Sequence, residues 1–121
     1  MTIQIPNIIL PTARVGVEAM ADAAQHISLS LPVRYLQEKT VQVYAAIAAG
    51  APAPLNIWVE LAPSDTAALY VIVGVPTVIV ATENAILQWT THSEFARVIA
   101  QVPAWAAGTW EIAIHFLGAS K

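Results

Sequence analysis

At 121 residues the chain has the length of one domain, long enough to close a core without staples. It contains no cysteine, which excludes disulfides, thiolate metal sites and cysteine nucleophiles. Five basic and eight acidic residues leave a net charge of −3, and the basic ones are scattered, so no phosphate-tracking surface for DNA or RNA is expected.

Apolar residues make up 57% of the chain and charged residues 11%, against about 25% charged in an ordinary domain. A surface with so little charge is covered by lipid or by other subunits. The longest apolar run, Ala67 to Thr82, is shorter than the ~20 residues of a spanning helix and carries Gly74 and Pro76 at its centre. A membrane span is therefore not expected, and cover by subunits is. No basic region precedes the first apolar stretch, so no secretory leader is expected either.

Met1 to Pro11 is apolar but holds Pro6 and Pro11, which exclude a helix or a central strand. It reads as an extended N-terminal arm over residues 1–12, lying on its own domain or on a neighbour, before a single domain over residues 13–121. Thr12 to Gln25 has two readings: Ala13, Val15 and Val17 alternate as in a strand, whereas Glu18 to Gln25 has the composition of one or two helical turns. His26 to Leu31 alternates, with Ile27, Leu29 and Leu31 on one face and His26, Ser28 and Ser30 on the other. Pro32 ends it, and Val33 to Thr40 reads as an exposed connection.

Val41 to Ile47 is the next strand, followed by a turn at Ala48 to Pro54 marked by Gly50, Pro52 and Pro54. Leu55 to Leu61 shows the cleanest alternation: Leu55, Ile57, Val59 and Leu61 against Asn56, Trp58 and Glu60. After a turn at Ala62 to Thr66, Leu69 to Val73 and Thr77 to Ala81 read as two strands around a Gly74-Val75-Pro76 turn. Both are apolar throughout, as in strands buried on both faces. Ile86 to Trp89 is short. Phe95 to Val102 and Trp110 to Phe116 then alternate on either side of a loop bounded by Pro103 and Gly108, and are expected to pair as a hairpin. Seven to nine short strands spaced in this way predict an all-β, antiparallel β-sandwich of the jelly-roll kind.

Candidate chemistry is sparse. His92, Ser93 and Glu94 are adjacent, and neighbours on a strand point to opposite faces, so they do not form a nucleophile–base pair by themselves. His26, His92 and His115 lack the spacing of a ligand pair. No catalytic residue, metal site or cofactor site is expected. Arg97 is expected to pair with Glu111 across the hairpin. Trp110 belongs to an apolar face and is expected in the core. Trp58, Trp105, Trp89 and Tyr44 are candidates to anchor a subunit interface, where tryptophan is enriched, or to stack on sugar rings; the shortage of charge favours the interface.

The segments VQVYAAI, NIWVELAPSD, SEFARVIAQVP and TWEIAIHFLGAS, in this order between Val41 and Ser120, resemble small phage and prophage structural proteins. That resemblance implies a virion component (capsid decoration, head fibre or tail accessory domain) with homo-oligomeric or other virion partners and no catalytic residues. Localisation would then be the virion, with the cytoplasm as the alternative. The competing expectation is a carbohydrate-binding sandwich with a glycan partner.

Overall fold

The computed structural model describes residues 3–8, 18–28 and 30–120. The alternating segments form strands because Val, Ile and Trp on one face find a common core while polar neighbours stay wet. They are β1 (Ile3–Ile8), β2 (Glu18–Met20), β3 (His26–Ile27), β4 (Leu31–Pro32), β5 (Glu38–Ala49), β6 (Leu55–Ala62), β7 (Val71–Ile79), β8 (Glu83–Trp89), β9 (Phe95–Gln101) and β10 (Thr109–Ser120). Among the described residues the only helical element is a single 3₁₀ turn, Ala67–Leu69.

Two antiparallel sheets face each other. In the first, β5 pairs with β10 on one side and with β8 on the other. The far edge of β10 is shared by β1, opposite His115 to Ser120, and β2, opposite Trp110 to Ile112. In the second sheet β6 pairs with β9 and β7, and the far edge of β9 is shared by β3 and β4. With each split edge counted as one strand, both sheets are four wide and the chain crosses repeatedly between them. This is the jelly-roll arrangement, so the expected fold class is the observed one. Residues 3–8 of the expected arm lie on the chain's own β10.

The core lies between the sheets. It holds Val41, Val43, Leu55, Ile57, Val98, Trp110, Ile112 and Ile114, with Trp89 and Phe116 in tilted ring contact at 6.3 Å. Trp110 is fully buried, as expected, and its Nε1–H donates to the Ala53 carbonyl at 2.8 Å. The two loops that cross at one end touch: a Cβ on Gly108 (φ +84°) would stand 2.8 Å from Pro52 N. Both its φ and this approach require glycine there.

Four local expectations are corrected. First, β9 and β10 are not a hairpin. Both point their apolar sets inward, but from opposite sheets, and the loop between them crosses the sandwich. Alternation reports which face is buried, not which strand is the neighbour. Second, Glu18 to Gln25 contains no helical turn: Glu18–Met20 pairs with β10, Met20 is buried, and Ala21 to Gln25 is exposed and irregular. Eight residues are too few to hold a helix against a competing ladder. Residues 12–17 lie outside the described residues.

Third, Ile27 and Leu31 face opposite ways. Between the Ile27–Ile99 and Leu31–Ala96 pairs, residues 28–30 stand opposite residues 97–98, and that one extra residue turns the strand over. Ser28 is thereby buried, its hydroxyl accepting from Val98 N–H at 2.8 Å; Leu29 lies outside the described residues. Fourth, Val33 to Thr40 is not an exposed connection. Val33 and Leu36 are buried, and β5 starts at Glu38 so that Lys39 falls on its inner face.

Candidate functional site

The outermost strands β7 and β8 are joined by residues 80–82, so both free edges lie on the same side of the sandwich. Leu69 to Val73 and Thr77 to Ala81 are not two buried strands. Val71–Ile79 is one continuous edge strand; Ile79 reaches the core and Val73 packs against it, but Val71 is 66% exposed, Val75 82%, Val80 just after the strand 67%, and Ile86 on β8 62%. Gly74 (φ +73°), Val75 and Pro76 do not turn the chain back. They bulge outward opposite the single residue Trp58, between the Ile57–Thr77 and Val59–Val73 pairs. At the Val71 end the edge opens into a groove of about 460 Å³, floored by Leu61, Leu69 and Val71 and rimmed by His92 and Glu94.

A second feature crosses the outer face of the other strands of that sheet. Glu60 on β6 and Arg97 on β9 are register partners. Arg97 Nη2 and Nε lie 2.8 and 2.9 Å from Glu60 Oε1. The Trp58 indole N–H donates to the other carboxylate oxygen at 3.0 Å. The Arg97 guanidinium lies 4.0 Å from the Tyr70 ring centre, over its face. The hydroxyls of Tyr70 and Ser30 reach Asp65 Oδ1 at 3.0 and 2.6 Å. Burial raises the Tyr70 phenol above its ordinary pKa, and the nearby Asp65 charge adds to this. The Arg97 partner is therefore Glu60 and not Glu111, which lies in the other sheet. The cluster contains two carboxylates, a guanidinium, a phenol and a serine hydroxyl that satisfy one another. It braces four segments and presents the half-buried Trp58.

The four aromatic candidates are not brought together. Trp58 is half-buried on the outer face of β6, and Tyr44 is exposed on the outer face of β5, in the opposite sheet. Trp105 is half-buried in the crossing loop, its N–H held by the Gly108 carbonyl at 3.0 Å and its ring against the core. Trp89 is corrected outright: at 7% exposure it is a core residue and offers no stacking surface. Its Nε1 is buried with no hydrogen-bond partner among the described residues. Opposite it in register sits Lys39, 1% exposed, whose ammonium donates to the Leu36 and Thr91 carbonyls at 3.2 and 3.1 Å. Burial lowers the Lys39 pKa. Lys39 ties two loops at one end of the sandwich.

The histidines are dispersed: His26 on β3 against Asp22 at 3.3 Å, His92 at the groove rim, and His115 on the outer face of β10. Among the described residues no group of His, Asp or Glu is placed to hold a metal ion. Among the same residues no helix is long and apolar enough to cross a membrane.

No protein-family model matches the chain, and a search of curated proteins finds no relative. Solved structures do resemble it. A subunit of Bacillus endospore appendages, described as disulfide-linked pili, superposes with a TM-score of 0.56 at 18% identity, over 99% of this chain and 89% of that one. PirA superposes at 0.58 with 11% identity, over 87% and 96%. The N-terminal cellulose-binding domain of a Cellulomonas fimi β-1,4-glucanase superposes at 0.52 with 12% identity, over 82% and 70%. At these identities the likeness establishes the shared sandwich fold. An assembling subunit and a polysaccharide-binding domain both stand among its neighbours.

Proposed function

We propose that the chain is a non-enzymatic structural subunit that assembles with copies of itself or onto a larger body, most specifically as a phage virion component. The observation that carries this reading is the bare apolar edge of β7. Val71, Ile72, Val75, Val78 and Val80 stand exposed in a segment with no charged residue from Thr66 to Thr82. Pro76 and the bulge blunt backbone pairing at this edge, but no charge covers its exposed apolar side chains. The fold shared with a pilus subunit is compatible with assembly and does not by itself select it. Size exclusion with light scattering tests the reading: a mass above 12.9 kDa that grows with concentration supports it, and a clean monomer at high concentration counts against it. Capsid, portal or tail genes beside the coding sequence would support the virion assignment.

The second reading is a carbohydrate-binding module, favoured by one observation: Trp58, held in place by Glu60 on an outer sheet face. A glycan array with Trp58→Ala and Trp105→Ala controls decides it. A sugar signal lost in Trp58→Ala supports it; no sugar-dependent signal ends it.

A further inference from the structure

The β7 edge carries a protrusion and a recess. The protrusion is the Gly74-Val75-Pro76 bulge, where Val75 is the most exposed large apolar side chain among the described residues. The recess is the groove over Leu61, Leu69 and Val71. At about 460 Å³ it lies within the ~300–1,000 Å³ range of sites that enclose small ligands, ample for two small side chains. Val71 and Val75 are four residues apart on the strand, roughly 13 Å at the rise of extended chain.

This geometry selects the type of contact. Pro76 has no N–H to give, and the bulge interrupts the ladder, so the middle of β7 is a poor template for a strand added by backbone pairing. A partner must therefore read side chains. The absence of charge from Thr66 to Thr82 offers nothing to a charged partner and nothing that repels an identical edge. Leu69, Val71, Ile72, Val75, Val78 and Val80 together expose on the order of 600 Å², divided between the two faces and the rim of β7 because strand neighbours point opposite ways. A partner wrapped around the edge would therefore bury at most roughly 1,200 Å² from two copies, the lower bound for a specific interface.

We propose that a second copy covers this edge as a two-fold pair, with Val75 and Pro76 of each copy seated in the Leu61–Leu69–Val71 groove of the other. A two-fold contact requires that residue i meet residue j while j meets i. A protrusion and a recess on one edge, with the edges running antiparallel, meet that requirement. The pairing rests on the self-assembly reading above and specifies its surface.

Sedimentation equilibrium of the wild type, Val75→Lys, Val71→Glu and Glu111→Lys tests it, with circular dichroism as the check on folding. All three positions are exposed, so the fold is expected to survive. The wild type should show a monomer–dimer equilibrium. Val75→Lys and Val71→Glu should each weaken it at least tenfold, and Glu111→Lys, on the opposite sheet, should leave it unchanged. An equimolar mixture of Val75→Lys and Val71→Glu should recover a dimer, because one contact becomes a Lys–Glu pair and the other stays native. A wild type that assembles regardless of Val75→Lys overturns the proposed surface while leaving self-assembly standing. Open-ended filaments overturn the two-fold. A wild type that stays monomeric overturns both.

Discussion

Replacing Arg97 with methionine removes the cation from the outer-face cluster while keeping a stem of similar length. Glu60 then retains only the Trp58 N–H, at 3.0 Å, and the Tyr70 ring loses the guanidinium 4.0 Å from its centre. Removing one partner of a fully buried ion pair costs about 3–5 kcal/mol, and an exposed pair is worth about 0.2–1 kcal/mol. Both side chains here are 16% exposed, which places the loss between those limits at about 2 kcal/mol. The lost ring contact adds about 0.5–1 kcal/mol. Urea unfolding followed by tryptophan fluorescence should therefore show Arg97→Met destabilised by about 2.5–3 kcal/mol, read as a lower midpoint at unchanged slope. Glu60→Met/Arg97→Met, which leaves no orphaned charge, should recover at least half of that loss. An Arg97→Met cost below about 0.5 kcal/mol, or a double variant as unstable as the sum of the singles, would refute the pairing argument.

The buried ammonium of Lys39 gives a pH signature. Its folded-state pKa is lowered below 10.5 by burial, so between that lowered value and 10.5 the unfolded chain binds the extra proton and stability rises with pH. Chemical denaturation across alkaline pH should show this rise in the wild type and its absence in Lys39→Met. Tyr70 acts oppositely: its raised folded pKa makes stability fall as pH climbs above 10.0, a fall that Tyr70→Phe should remove. Gly108→Ala should cost more than about 2 kcal/mol by thermal unfolding, since it adds a clash with Pro52 to an unfavourable φ. Gly74→Ala, where a Cβ meets only open space, should cost about 1–2 kcal/mol from φ alone. Trp110→Phe should destabilise more than Trp89→Phe by about 1–2 kcal/mol, because only the former leaves a carbonyl, that of Ala53, without its donor.

The sandwich was legible because period-two alternation survives in Val41 to Ile47, Leu55 to Leu61, Phe95 to Val102 and Trp110 to Phe116. In each of them one alternate set supplies core residues: Val41, Val43 and Ala45; Leu55, Ile57 and Val59; Ala96, Val98, Ala100 and Val102; Trp110, Ile112, Ile114 and Phe116. Pairing was less legible. Facing strands in the two sheets use the same pattern, so Arg97 was assigned to Glu111 along the chain when its partner was Glu60 across the ladder. Lys39 was missed because a lysine is read as solvated, although stepping back by two from Val41 places it inside. The β7 edge is hidden from sequence reading for a physical reason: a continuous apolar run looks the same in a strand buried on both faces and in an edge strand that sends only Val73 and Ile79 inward. One signal could have separated them. Pro76 within the run points to an edge strand, because a central strand needs that N–H.

Sedimentation velocity of the unmodified chain from micromolar to millimolar concentration, at low and at high sodium chloride, tests the assembly claim most directly. An apolar edge without charge predicts a sedimentation coefficient that rises with concentration and does not fall as salt screens the solution. A single 12.9 kDa species at every concentration and salt would contradict it.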